Sequence, residues 1–201
     1  GGIGRALAQD LHGRGASVLL VGRHVQALED AVRALGGRSA RVDWCAADLA
    51  TAAGRARVVE AANHWGGGVN VLVNSAGLGD FGMLDELDDA AIERLFAINA
   101  VAPMQMTRAL LPTLRSQPAS AILNIGSVFG SLGYPGFTAY SATKFALRGF
   151  TEALRRELAD SKIGVHYFAP RATKTGMNAS AVDRMNAELA KAVRSADVTQ
   201  K

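Results

Sequence analysis

The sequence predicts a doubly wound α/β fold, a parallel sheet with helices on both faces in three layers. Short apolar runs of strand length alternate with longer segments of helical periodicity along the whole chain. The short runs are apolar on successive residues, as strands covered on both faces are, and parallel neighbours need crossover helices of the kind that separate them. The 201 residues, 49% hydrophobic and 20% charged, suffice for one domain that buries roughly 70% of its unfolded surface.

In order, a glycine-rich opening, Gly1-Gly2-Ile3-Gly4, leads into a helix over 3–12, followed by a strand over 17–21 and a helix over 25–35. A strand over 39–43, a helix over 52–65 and a strand over 69–74 continue the alternation. A long helical pattern over 90–114 contains Pro103, which either kinks it or separates two abutting helices. Then come a strand over 121–125, a helix over 139–159, a strand over 164–169 and a helical pattern over 180–193. With no linker or repeat, residues 1–201 read as one domain. The opening turn has no strand ahead of it and the polar stretch 195–201 has none after it. The chain therefore reads as a piece of a longer polypeptide, lacking the first strand and the C-terminal end.

Composition narrows the function. The net charge of +4 comes from 22 basic and 18 acidic residues scattered without a basic block, which argues against nucleic acid. No apolar run approaches the roughly 18 residues of a membrane span, so no membrane association is expected. Cys45 is the single cysteine and no Cys/His spacing suits zinc, so neither a disulfide framework nor a metal is expected and a reducing, cytoplasmic setting fits.

Gly2, Ile3 and Gly4 open a helix, where small residues let backbone N–H groups approach a pyrophosphate and the helix end offers positive charge. After the next strand stands Arg23, where a carboxylate would suit an unphosphorylated ribose; arginine suits a 2′-phosphate. Tyr140 and Lys144 are four apart at a predicted helix start and so share a face. Bringing a phenol to a pKa of about 7 takes about 4 kcal/mol. One cation about 4 Å away in an effective dielectric of about 20 supplies about that much, so Lys144, helped by a positive nicotinamide ring, is expected to lower the Tyr140 pKa and make it a working acid/base group. Ser127, Asn74-Ser75-Ala76-Gly77 and Asp48-Leu49 each follow a predicted strand, where α/β sheets place their ligands.

In these residues the chain resembles the single-domain, Rossmann-like branch of the short-chain dehydrogenase/reductase family. Gly2-Ile3-Gly4 match the end of its cofactor turn, Asn74-Ser75-Ala76-Gly77 its N-N-A-G with one substitution, and Asp48 its adenine-side aspartate. Asn99 matches its helix asparagine, and Ser127, Tyr140 and Lys144 its catalytic serine and Y-x-x-x-K pair. The resemblance implies catalytic roles for Asn99, Ser127, Tyr140 and Lys144. It implies a cofactor site of Gly2, Ile3, Gly4, Arg23, Asp48, Leu49, Asn74, Ala76, Gly77, Tyr140, Lys144, Pro170, Thr173 and Thr175. Arg171 stands in place of the usual glycine after Pro170, a position where positive φ would be uncomfortable.

The expectation is hydride transfer between a nicotinamide cofactor, NADP(H) rather than NAD(H), and a small carbonyl or alcohol substrate. Tyr140 would carry the proton, Ser127 would stabilise the substrate oxygen, Lys144 would bind the ribose and depress the Tyr140 pKa, and Asn99 would hold a water or backbone group in the relay. The resemblance also implies a substrate-covering segment over 176–194, and homodimers or homotetramers through the two long helical segments. A nicotinamide-assisted epimerase or dehydratase and a non-catalytic nucleotide sensor are the alternative readings. The four histidines show no pairing, Met104 and Met106 read as core, and Cys45 as an inert buried thiol.

Overall fold

The computed structural model describes residues 1–39, 41–66 and 68–171. Helix α1 (Gly2–Gly13) precedes strand β1 (Val18–Gly22), helix α2 (Val25–Ala34), strand β2 (Val42–Ala46) and helix α3 (Ala52–His64). Strand β3 (Val71–Asn74) leads to α4 (Asp89–Phe96), α5 (Ala102–Arg115), β4 (Ser120–Ile125), α6 (Thr138–Glu157) and β5 (Ile163–Phe168). The ladders are parallel: β1 pairs with β2, and β3, β4 and β5 are neighbours in that order. The predicted α/β alternation with parallel strands is what the chain adopts, the described strands forming two sheets, β1-β2 and β3-β4-β5, rather than one. Asn74 lies level with Asn124, and Asn124 with Tyr167, so the ends of β3, β4 and β5 come to one edge.

Strand β2 begins three residues later than its apolar run suggests. Gly36 and Gly37, at φ +97 and +92, turn the chain out of α2, a conformation that favours glycine. Ser39 then exchanges backbone hydrogen bonds with Val42 at 2.9 and 3.2 Å, so pairing with β1 starts only at Val42. Asp43, the last residue of the predicted run, is the second residue of the strand and pairs with Arg38 at the surface.

The long helix over 89–115 neither kinks at Pro103 nor divides. Ala97–Val101 form a π-helical segment between α4 and α5, with αR dihedrals at both junctions. The Ala102 N–H bonds the Ala97 carbonyl, five residues back. Pro103, lacking an N–H, gives nothing to the Asn99 carbonyl four residues back. Asp88 caps the start of α4, its side chain accepting from the Ala91 N–H at 2.6 Å.

The core is aliphatic. Val58 and Ala62 of α3, Met106, Leu110 and Leu114 of α5, Ile122 of β4, Leu154 of α6 and Val165 of β5 form one buried cluster. Cys45 belongs to it, and burial pushes its thiol pKa up, as expected for an inert thiol.

Candidate active site

Gly126 and Ser127 follow β4, and Ser127 caps a one-turn 3₁₀ helix (Val128–Gly130), its Oγ accepting from the Phe129 N–H at 3.2 Å. Tyr140 and Lys144 lie in the first two turns of α6. The helix carries both toward the strand end: the Ser127 hydroxyl lies near enough to the Tyr140 phenol to favour its ionised form, and Lys144 Nζ stands 5.6 Å from the Tyr140 ring centroid. The ammonium also donates to the Ile125 carbonyl at 3.2 Å. The three side chains the sequence singled out thus meet in one environment.

Their electrostatics differ from the expectation. Burial pushes the Tyr140 phenol above its ordinary value, and the Ser127 hydroxyl works in the opposite direction. Lys144, only 5% exposed, is lowered to about 8 by burial. The expectation of a depressed phenol pKa left out desolvation, which disfavours phenolate and ammonium alike. Lys144 is also turned toward the Ile125 carbonyl rather than held against the phenol oxygen alone.

Asn99, fully buried, lies in the π-helical segment. Its Oδ1 accepts from the Leu78 N–H at 2.8 Å, while Nδ2 donates to the Leu78 carbonyl at 2.9 Å and to Thr143 Oγ1 at 3.1 Å. The Thr143 hydroxyl in turn donates to the Tyr140 carbonyl at 2.7 Å. Asn99 therefore brackets the loop after β3 to the catalytic turn of α6, and the backbone group it holds is Leu78. Asn74 is likewise engaged inside the protein, donating to Asn124 Oδ1 at 2.8 Å and Thr107 Oγ1 at 3.2 Å. What it gives the site is the aim of the turn carrying Ser75, Ala76 and Gly77.

On the nucleotide side, the first turn of α1 opens with Gly2 and Gly4 and holds no acidic residue, so its N–H groups and dipole suit an anion. Ile3 and Gly4 are partly buried, and a Cβ at Gly4 would come within 3.1 Å of Ser75 Oγ, so glycine lets α1 approach the loop after β3. Asp48 accepts from the Ala50 N–H at 3.0 Å, and its carbonyl accepts from the Thr51 hydroxyl, also at 3.0 Å. Thr51 caps α3 at Gly54, so Asp48 and the partly buried Leu49 form a fixed turn after β2. Arg23 borders a cleft of about 220 Å³ together with Leu78, Asp80, Arg94 and Leu95. The glycine-opened start of α1, its close approach to the loop after β3 and the arginine-bordered cleft fit a dinucleotide. Pro170 is partly buried just past β5. Thr173, Thr175 and the segment 176–194 lie outside the described residues. Among the described residues no non-glycine residue has positive φ, so Arg171 stands where glycine is usual without that strain.

Sequence reasoning missed Thr143, Leu78, Asp80, Arg94 and Tyr167. Leu78 takes part through its backbone, and the others are joined to the site by contacts between distant elements, which no local pattern records. It also missed an aromatic wall beside Tyr140: Phe129 and Phe137 meet it edge-on at 6.2 and 6.1 Å, with Tyr134 stacked on Phe129 at 5.6 Å and Phe81 against Phe137 at 5.2 Å. Among the described residues, no group of His, Cys, Asp and Glu could hold a metal ion, and no helix is long and apolar enough to cross a membrane.

Comparison with known proteins matches residues 1–186 to the short chain dehydrogenase family. Dehydrogenase/reductase SDR family member 7B of Mus musculus is 33% identical over 90% of this chain and 57% of its own length. Nodulation protein G of Rhizobium sp. (strain N33) is 33% identical over 100% of this chain and 79% of its own. The chain thus spans little more than half of the first relative. Among solved structures, a short-chain dehydrogenase from Streptomyces avermitilis superposes with TM-score 0.80 at 34% identity, covering 87% of this chain and 63% of that one. A short chain dehydrogenase/reductase from Burkholderia phymatum, in complex with NAD, gives TM-score 0.82 at 29% identity with the same coverage. Sequence match, superposed fold and the meeting of Ser127, Tyr140 and Lys144 agree: the chain belongs to the short-chain dehydrogenase family.

Proposed function

We propose that the protein is a nicotinamide-dependent oxidoreductase acting on a carbonyl or the corresponding secondary alcohol. The observation that carries this reading is the convergence of the Ser127 hydroxyl, the Tyr140 phenol and the Lys144 ammonium at the end of β4. Gly2 and Gly4 at the α1 start, the turn Asn74-Ser75-Ala76-Gly77, Asp48, Leu49, Arg23 and Pro170 would hold the cofactor, with Thr173 and Thr175 completing the set. The nicotinamide supplies the hydride when bound.

In reduction, Tyr140 gives its phenolic proton to the substrate oxygen, and in oxidation it takes one back. Burial keeps the phenol protonated near neutral pH, which suits the donor role. Ser127 donates to the same oxygen as charge develops there. Lys144 faces the Tyr140 ring from a buried position, where its charge favours the phenolate left after transfer. Asn99 holds Leu78 and Thr143 in place around this proton path.

Arg23 and Arg94 against the single carboxylate of Asp80 in one cleft support a preference for NADP(H). The wall of Phe81, Phe129, Tyr134 and Phe137 beside Tyr140 supports a substrate with an aromatic or extended apolar group next to its carbonyl. Phe145 on α6 and Val101 at the start of α5, 46% and 39% exposed, support self-association through these helices.

The deciding experiment follows NADPH and NADH consumption by the full-length protein with a panel of aryl and long-chain ketones. Tyr140→Phe is expected to bind cofactor as the parent does and to lose about 10³-fold in turnover, within the usual contribution of general acid catalysis. Unchanged turnover in Tyr140→Phe would remove its role. Cofactor binding without consumption across the panel would favour a non-catalytic nucleotide sensor.

A further inference from the structure

Tyr167 of β5 takes no part in the chemistry just described, yet it touches the loop that carries Ser127. Its phenol accepts from the Ser127 N–H at 3.3 Å and donates to the Ser127 carbonyl at 3.3 Å. One side chain thus satisfies the serine N–H, which a loop leaving a strand end would otherwise leave to solvent, and adds a second bond to a carbonyl that also accepts from the Gly130 N–H at 2.9 Å. The ring lies in space left by two buried glycines, since a Cβ at Gly126 or at Gly130 would overlap it. The Gly126 N–H extends the β4–β5 ladder by one bond, to the Phe168 carbonyl at 2.8 Å, so the loop leaves the sheet directly beside Tyr167. At its far end, Arg148 of α6 holds the Ser131 hydroxyl at 2.6 Å and pairs with Glu152 at 2.8 Å.

We propose that Tyr167 is a positioning residue for Ser127: it seats the 126–130 loop on its ring and fixes the serine main chain through its hydroxyl, aiming the Ser127 side chain at Tyr140. This rests on the reading of Ser127 and Tyr140 as the groups that meet the substrate oxygen. Three features distinguish it from ordinary packing. The phenol oxygen is aimed at the backbone of Ser127 itself; the glycines lie where a side chain would expel the ring; and the Ser127 backbone, extended at φ −161 and ψ 161, sets the direction of its Cβ. Burial also pushes the Tyr167 pKa up, so the phenol keeps the proton it donates.

The test compares the full-length protein with Tyr167→Phe, which keeps the ring and removes the hydroxyl. The readouts are amide hydrogen exchange at Ser127, exchange at Ile122 in the middle of β4 as a reference, and NADPH-dependent reduction of 1-phenyl-1,2-propanedione. Loss of a hydrogen bond of ordinary strength is expected to speed Ser127 exchange about tenfold while leaving Ile122 unchanged. The kcat for the diketone is expected to fall about tenfold with the cofactor KM within about twofold, because the serine is misaimed and the cofactor site untouched. Equal protection of Ser127 in both proteins, equal loosening at Ser127 and Ile122, or faster Ser127 exchange with undiminished kcat would each overturn the proposal. Gly126→Ala is the second variant: its methyl group expels the ring and is expected to reproduce the kcat loss with cofactor KM retained, and full kcat in that variant would count against Tyr167. If the parent does not turn over the diketone or any ketone of the panel, the oxidoreductase reading fails on its own, and the exchange comparison still decides whether Tyr167 holds Ser127.

Discussion

The two sheets are held together by different forces. Around β3, β4 and β5 the interior carries hydrogen-bonded polar side chains: Asn99, Thr107, Asn124, Thr143 and Thr151 are all at most 2% exposed. Asn124 joins Asn74 across the strands and reaches Thr151 on α6 at 2.9 Å, and Thr151 closes onto the Leu147 carbonyl at 2.6 Å. Around β1 and β2, by contrast, the polar contacts lie outside. Of the four ion pairs among the described residues, Arg14 with Asp10, Arg33 with Asp30 and Arg38 with Asp43 belong to this part, all well exposed. The difference fits the proposed division of labour, proton transfer beside β3, β4 and β5 and phosphate binding beside β1 and β2. Proton transfer needs atoms fixed to a fraction of an ångström, which buried, directional bonds provide. A phosphate can be gripped from many directions by a solvent-facing guanidinium such as Arg23.

The comparison breaks most visibly at Asn124. Asn124→Leu keeps the branching and the number of heavy atoms but removes the amide that bonds Asn74 and Thr151, and is expected to cost about 3 kcal/mol in a urea unfolding curve. A loss too small to measure would mean that the polar interior is not what braces β3 to β5. Lys144 tests the same interior through charge. It titrates near 8 in the fold against an ordinary 10.5, so between those pH values the unfolded chain binds more protons and stability rises with pH. Lys144→Met removes that penalty, so at pH 7 it should be more stable than the parent by up to about 3 kcal/mol, less the lost bond to Ile125, and inactive. The gap should close as pH rises from 8 to 10.5, and a gap constant with pH would show that the ammonium carries no burial cost.

In the other sheet the expected effects are smaller. Arg23→Asp should move relative affinity from NADP(H) toward NAD(H) by about tenfold, the scale of one charge-assisted hydrogen bond, in a fluorescence titration with both cofactors. Equal relative affinities before and after would take Arg23 out of the phosphate site. Smallest of all, Arg38→Gln breaks the surface pair with Asp43 and the stacking on Trp44. It is expected to leave the thermal midpoint unmoved, as exposed pairs generally do, and a clear drop would mean that this half also depends on specific polar contacts.

What the sequence made legible was periodic or local. Alternating runs gave the order of strands and helices, and the four-residue spacing of Tyr140 and Lys144 placed both on one helix face beside Ser127. What it hid was set by packing between distant elements. The Tyr140 pKa follows from burial, which spacing does not report. The roles of Asn99 and Asn74 as braces rest on partners 21 to 50 residues away, and strand β2 was displaced because a turn at Ser39 outweighed an apolar run. Pro103 suggests a kink or two abutting helices, whereas the chain changes hydrogen-bond register one residue earlier, at Ala102.

That change of register has an evolutionary and an engineering consequence. A five-residue reach accommodates one residue more than regular helix, so α4 and α5 are out of phase by about 100°, one residue's rotation. Deleting Ala100 would let the segment close into uninterrupted α-helix, and Leu95 and Leu110 could no longer both face inward while Asn99 stays level with Leu78. The single surplus residue acts as a gear between two helical faces, and the segment that holds it presents the Asn99 amide to Leu78 in the loop after β3.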